Sequence, residues 1–230
     1  MAAEAHSTAT LRLTVGDLRI VHPITVPSGP VAAADVMPAL QGLVNAVVEA
    51  AEAGKSISCR KGCGACCRQL VPVSRTEGER LLALIEAMPR ERRATLHARF
   101  AAAETALESA GLAKRGQKND REMSLAYFAL GLPCPFLEEE SCSIHPDRPL
   151  VCREYLVTSP AELCAGPAQE GVTPVAVPKV SMAARGLQDD GEDWFPLARL
   201  MAWARTRPRK SRQRTGPEWV QRFLKGVTRK

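Results

Sequence analysis

Four of the chain's eight cysteines fall inside the run Ser58-Cys59-Arg60-Lys61-Gly62-Cys63-Gly64-Ala65-Cys66-Cys67, and no other stretch confines the backbone so tightly. A thiolate is a soft, charged ligand suited to zinc, Cu(I) or an iron–sulfur cluster, and thiols this dense point to metal binding. The gaps between Cys59, Cys63, Cys66 and Cys67 are three residues, two residues and none. A two-residue gap lets one chain wrap a tetrahedral ion, and Gly62 and Gly64 permit the tight backbone that wrapping needs. Neighbouring side chains diverge by about 100° in a helix and about 180° in a strand. Cys66 and Cys67 are therefore expected to serve different metals, or one to face a cluster edge while the other ligates from behind.

The chain has 230 residues, enough to bury an ordinary core without staples. Aromatic residues make up 4% of it and alanine is abundant, which favours helix over a β-sandwich. No basic, apolar leader opens the sequence, and no apolar run approaches the roughly 18 to 20 residues of a membrane span. A cytoplasmic protein with no membrane partner is expected, and in a reducing cytosol eight thiols are metal ligands rather than disulfides.

Along the chain, Leu11, Leu13 and Val15, then Leu18 and Ile20, alternate around Gly16-Asp17, which reads as a short β-hairpin. Val36, Leu40, Leu43, Val44, Val47, Val48 and Ala51 recur at helical spacing up to Gly54. Leu70 to Val73 reads as extended. Ser74 with Glu77 forms a capping-box pattern opening a helix with Leu81, Leu82, Ile85 and Met88. After Pro89 a third helix carries Leu96, Phe100, Ala103 and Leu107 and stops near Gly111. Residues 113–120 read as an exposed loop, 122–130 as a short helix and 172–180 as extended. Further helices are expected around 194–204 and 217–227.

A second group of thiols, Cys134, Cys142, Cys152 and Cys164, is spaced too loosely for a self-contained finger loop. It brings the total to eight, enough for two four-ligand sites or one cluster of several ions with bridging sulfurs, so this group is expected to fold onto the first. Arg60, Lys61, Arg68, Arg148 and Arg153 lie beside these cysteines in sequence, where they can lower thiol pKa values and offset negative charge. His145 is a candidate replacement for one thiolate, though a supporting role is the commoner one for such a histidine. Cys164 has the alternative of being a buried structural thiol.

The pattern Cys59-x3-Cys63-x2-Cys66-Cys67, followed by Cys134-Pro-Phe-Leu, Cys142-Ser-Ile and Arg148-Pro-x-x-Cys152-Arg153, resembles the YkgJ-type cysteine-cluster family, described as a zinc- or iron-chelating domain. The resemblance runs from about Ser58 to Cys164. It implies metal chelation by these cysteines. A related enzyme that methylates flagellin lysines makes an iron–sulfur-dependent methyltransferase the alternative. The cofactor expected is an iron–sulfur cluster or iron, alternatively zinc: Cys134-Pro135 and the wealth of thiols lean to iron, whereas four-cysteine sites are equally common for structural zinc. Cys59-x3-Cys63-x2-Cys66 also has the spacing of radical S-adenosylmethionine enzymes. Ala65, not an aromatic residue, precedes the last cysteine, and repeated strand–helix alternation is missing. No Ser/His/Asp set and no paired carboxylate site stands out.

Charge is uneven. The net charge is +6, but residues 205–230 hold ten of the 31 basic side chains and only one acid, Glu218, leaving the rest mildly acidic. With Trp219 and Phe223 among them, these cations offer a nucleic-acid partner. A solvated tail with its aromatics packed on the body is the favoured reading, and an unidentified protein partner is the other use for it. The expected architecture is a mainly α single domain wrapped around a cysteine-ligated metal site, with residues 1–30 as a hairpin segment, 31–204 as the cysteine-cluster domain and 205–230 as a basic extension.

Overall fold

A computed structural model of the chain describes residues 5–113, 120–166, 170–187, 194–207 and 211–228. The hairpin comes first, as strands β1 (His6–Val15) and β2 (Leu18–Pro27), antiparallel with Val15 opposite Leu18. Its strands are longer than expected. Gly16 takes φ +59° in the two-residue turn, a conformation glycine adopts without a Cβ penalty and one that suits a hairpin's twist. Along β2 the buried positions Ile20, Ile24 and Val26 all lie on one side, as the two-residue period requires.

That face meets helix α1 (Met37–Glu52), entered through the short strand β3 (Pro30–Ala32) and a single 3-10 turn at Ala33–Val36. The buried side of α1 includes Leu40, Leu43, Val44, Val47, Val48 and Ala51, the stripe expected from the sequence. Strand β4 (Pro72–Ser74) then leads into helix α2 (Arg75–Glu86). Its capping box is formed as the sequence indicates, the Ser74 hydroxyl accepting from Glu77 N and the Glu77 carboxylate accepting from Ser74 N. Helix α3 (Arg90–Ser109) buries Leu96, Phe100, Ala103 and Leu107. Helix α4 (Asp120–Ala129) follows; of the expected 113–120 loop, residues 114–119 lie outside the described residues.

Past α4 the elements become short. Strands β5 (Leu137–Glu138) and β6 (Ser141–Cys142) make a minimal hairpin, helix α5 (Leu150–Glu154) has five residues, and helix α6 (Met182–Arg185) has four. Residues 194–196 differ from expectation. They form strand β7 (Trp194–Pro196), paired antiparallel with β4, and helix α7 (Leu200–Thr206) begins only after a 3-10 turn. Trp194 and Phe195 favour extended backbone, and Pro196 has no N–H to give to a helix. Strand β8 (Gln213–Thr215) pairs with β3, and helix α8 (Gly216–Thr228) closes the described chain.

The largest core joins the hairpin, α1, α6 and α8, with Trp219 and Phe223 at 1% and 0% exposure. Those two aromatics are therefore closed to base stacking, which corrects that part of the nucleic-acid reading. Several of the cations are also engaged: Arg205 pairs with Glu104, Arg207 and Arg214 lie over Trp203 and Trp219, and Arg222 donates to the carbonyls of Gly186 and Leu187. Arg209, Lys210, Arg229 and Lys230 lie outside the described residues. A second core packs α2, α3 and α7 around Phe100 and Phe136, whose rings meet edge to face at 5.4 Å. Among the described residues no helix is long and apolar enough to cross a membrane.

Candidate metal centre

The first cysteine run is held in place from both ends. Ser58 N donates to Val157 O at 2.9 Å and Ser58 Oγ to Thr158 O at 3.1 Å, which ties the start of the run to the chain just before Cys164. Within it, Gly62 adopts φ +88° and its N–H reaches Ser141 Oγ at 3.1 Å, beside Cys142. Cys66 and Cys67 lie on a 3-10 turn, Ala65–Arg68, and Cys67 O accepts from Cys134 N at 2.8 Å. The segment is thus clasped to the stretches beside Cys134 and Cys142 and to the chain ahead of Cys164 by backbone–backbone and backbone–side-chain hydrogen bonds. These span so much chain that only tertiary structure can register them.

The β5–β6 hairpin fits this run closely. Gly64 has no room for a Cβ, which would lie 2.8 Å from Leu137 Cδ1 and 3.2 Å from Glu140 Cα. Glu139 and Glu140 both have positive φ, 47° and 55°, as the two central residues of a type I′ hairpin turn must, and non-glycine residues adopt this at some cost. Glu140 is held there by Arg68, which spans its carboxylate with bonds of 2.7 and 2.9 Å and also donates to Gly64 O. Glu140 is exposed and Arg68 partly so, so water screens the pair and it acts mainly in registration. Glu138 receives Arg92 and Arg99 from α3.

Helix α5 carries Cys152, and a buried carboxylate fixes where it starts. Glu77 accepts from Leu150 N at 2.9 Å while also capping α2 through Ser74. Arg153, 4% exposed, donates to Asn45 Oδ1 on α1 and to the carbonyls of Arg148 and Pro146. The capping box was legible in the sequence, but the bond from Glu77 across to Leu150 was not, because no sequence signal records a partner that far along the chain.

All eight cysteines are free thiols, and each lies within electrostatic reach of at least one other. Cys59 neighbours Cys66 and Cys63, and Cys164 neighbours Cys59, Cys66 and Cys63. Cys134 neighbours Cys142 and Cys66, and Cys152 neighbours Cys134, Cys66 and Cys142. Cys67 lies against Cys66, with Arg68 beside it. Burial pushes the thiols of Cys59, Cys142, Cys152 and Cys164 up, and takes Cys134 to about 12. For Cys66 the largest cause is its hydrogen bond with Cys67, followed by burial. Cys164 is the one cysteine residue of the eight that is buried as a whole, 3% exposed, with the Tyr155 hydroxyl 4.0 Å from its sulfur.

Opposing these effects are features that favour the thiolate form. Backbone groups of Phe136 and Ile144, each two residues past a cysteine, support the sulfurs of Cys134 and Cys142, and Val157 does the same for Cys59. The Arg148 guanidinium draws down Cys59, Cys66, Cys142 and Cys152, and its buried Nε has no hydrogen-bond partner. An orphaned N–H amid thiols is a donor matched to thiolate sulfur. Of the other cations named from the sequence, Arg60 and Lys61 are exposed. His145 is exposed and its Nε2 meets Arg148 Nη1 at 2.5 Å, so this ring nitrogen is occupied by the arginine.

By donor chemistry these residues fit a soft metal. Among the described residues, however, no three His, Cys, Asp or Glu side chains stand close enough to hold an ion as they are. Residues 58–170 match the family model CxxCxxCC, "Putative zinc- or iron-chelating domain". No curated protein and no solved structure matches the chain.

Proposed function

We propose that the chain, whose residues 58–170 match the CxxCxxCC family model, binds zinc or iron through Cys59, Cys63, Cys66, Cys67, Cys134, Cys142, Cys152 and Cys164. Iron would be held as ions or as an iron–sulfur cluster. The observation that supports this most directly is the neighbourhood of Cys66. Thiols contributed from 68 to 98 positions further along the chain lie around it, unoxidised, with Arg148 among them.

In such an arrangement the protein's own groups do three things. Burial and mutual repulsion keep the thiols protonated until a cation arrives, so binding releases protons and affinity rises with pH. Arg148 offsets the charge that collects when several thiolates share a small volume. Backbone donors at Phe136, Ile144 and Val157 orient individual sulfurs. When bound, zinc supplies a redox-silent cross-link and iron a one-electron couple. A reducing compartment such as the cytosol suits thiols that must stay free.

Elemental analysis with an ultraviolet–visible spectrum of anaerobically purified protein tests this reading. Stoichiometric zinc in a colourless protein supports a structural role, and iron with broad visible absorption supports an iron centre. Protein that carries neither metal, and takes up neither after reduction, overturns the proposal.

A further inference from the structure

The two outer edges of the N-terminal hairpin are not alike. Ser28 N donates to Ala5 O, and Val15 faces Leu18 across the two-residue turn, so odd-numbered residues of β1 and even-numbered residues of β2 exchange the ladder's hydrogen bonds. The backbone groups of Thr8, Thr10, Arg12 and Thr14 on β1, and of Arg19, Val21, Pro23, Thr25 and Pro27 on β2, therefore point away from the ladder. Both prolines of β2 fall in its outward set, where each removes an N–H that an added strand would need. No proline, lysine or bulge guards β1, which among the described residues pairs with β2 alone. The body-facing side of β1 is also incompletely covered. Ala9 is exposed and Leu11 and Leu13 are only part-buried, whereas Ile24 and Ile20, opposite Ala9 and Leu13, are buried.

We infer that β1 is a dimerisation edge whose occupant is β1 of a second copy of this chain, antiparallel across a two-fold axis at Leu11. The outward residues themselves select this occupant, because their order is symmetric about that position. Thr10 then faces Arg12 of the partner subunit and Thr8 faces Thr14 of the partner subunit, so the outward N–H and C=O groups of all four residues are paired. Arg12 is the one Lys, Arg, Asp or Glu in β1, and this register keeps the two copies of it from facing each other. Leu11 meets Leu11 of the partner subunit at a non-hydrogen-bonded pair, where side chains approach most closely. Leu13 meets Ala9 of the partner subunit, which covers the strip left open on the body-facing side. The contact uses one patch twice, as a two-fold dimer requires, and turns two hairpins into a four-stranded sheet. About 24 Å of paired strand is a small interface, so the dimer belongs to the weak, concentration-dependent class. No cysteine takes part in it.

Sedimentation equilibrium of the full chain in reductant, from about 1 μM to 1 mM, tests the contact when combined with amide hydrogen exchange at both ends of that range. A reversible monomer–dimer equilibrium is expected. The amides of Thr8, Thr10, Arg12 and Thr14 should slow as the dimer forms, while those of Arg19, Val21 and Thr25 on the other edge stay fast. Thr10→Pro breaks no hydrogen bond within the hairpin and should weaken dimerisation at least about 10-fold by removing the central outward N–H from both copies. Val21→Pro makes the same change on the edge of β2 and should leave dimerisation unchanged. Should Thr10→Pro not fold, the wild-type exchange pattern decides. A chain that stays monomeric throughout overturns the inference. So does a dimer whose outward β1 amides exchange as fast as in the monomer, or one that Thr10→Pro weakens no more than Val21→Pro does. None of these outcomes bears on metal binding.

Discussion

The hairpin–α1–α8 region and the cysteine region are built on different principles. In the first, two ten-residue strands and helices of 16 and 13 residues interlock through fully buried apolar side chains such as Leu40, Val44 and Phe223. In the second, the elements that carry or flank the cysteines have two to five residues, and side-chain-to-backbone bonds do the registering. Seven of its eight cysteine residues are only part-buried. One region is held by area removed from water; the other has too little of it and leaves a gap that metal coordination is suited to fill.

Removing the metal gives the sharpest contrast. Structural zinc contributes about 10–16 kcal/mol in small zinc-dependent folds. Chelation should therefore cost amide-exchange protection across residues 58–67 and 134–166 while α1 and α8 stay protected. Uniform loss in both regions would break the distinction. The converse experiment is Phe223→Ala, which should lower unfolding stability by about 3–5 kcal/mol by leaving a cavity. Metal stoichiometry at low denaturant should not change.

Glu77 joins the regions' edges, and Glu77→Gln replaces an acceptor with a donor facing Ser74 N or Leu150 N, at about 1–3 kcal/mol. Burial raises the Glu77 carboxyl above its ordinary value of 4.5. The folded state then holds the proton more tightly, so this contribution is complete below 4.5 and is lost as pH rises through the raised folded value. The difference in urea stability between wild type and Glu77→Gln should shrink and then level off as pH climbs through that window. A pH-independent difference would mean that Glu77 does not titrate there. Ser74→Ala should cost about 1 kcal/mol, the usual loss of a helix N-cap. Arg68→Ala should change global stability by less than about 1 kcal/mol yet lower metal retention in a chelator competition, since the pair it breaks is exposed.

Much of the first region could be read from the sequence because its determinants are local. Alternation around Gly16-Asp17 marks the hairpin, helical spacing from Leu40 to Ala51 marks α1, and Ser74 with Glu77 marks the start of α2. The stripe Leu96, Phe100, Ala103, Leu107 is buried as its spacing requires. Misreading 194–196 as helix came from carrying the stripe of Leu197, Leu200 and Met201 back to Trp194. The strand that Trp194 begins exists because β4 is there to pair with it, more than 100 residues earlier. The cysteines announced their chemistry but not their neighbours. Nothing near Arg148 in sequence separates it from Arg60 or Lys61, yet it alone of the three acts on four of the thiols. Which of them faces sulfur depends on Gln41 and Asn45 of α1, whose bonds hold the Asp147–Arg148 carbonyls and Arg153.

The Ser58–Thr158 clasp closes a span of 100 positions, and the bond from Cys134 to Cys67 closes another about two thirds as wide. Contacts between such distant positions form slowly, because the chain must first give up the freedom of the intervening loop. The pocket of sulfurs is consequently assembled after the local hairpin and helices, as is the still wider pairing of β3 with β8. Until those spans close, a newly made chain exposes eight unprotected thiols. A soft cation that engaged them early would also guard the polypeptide against oxidation, a second use for the chemistry of the cluster.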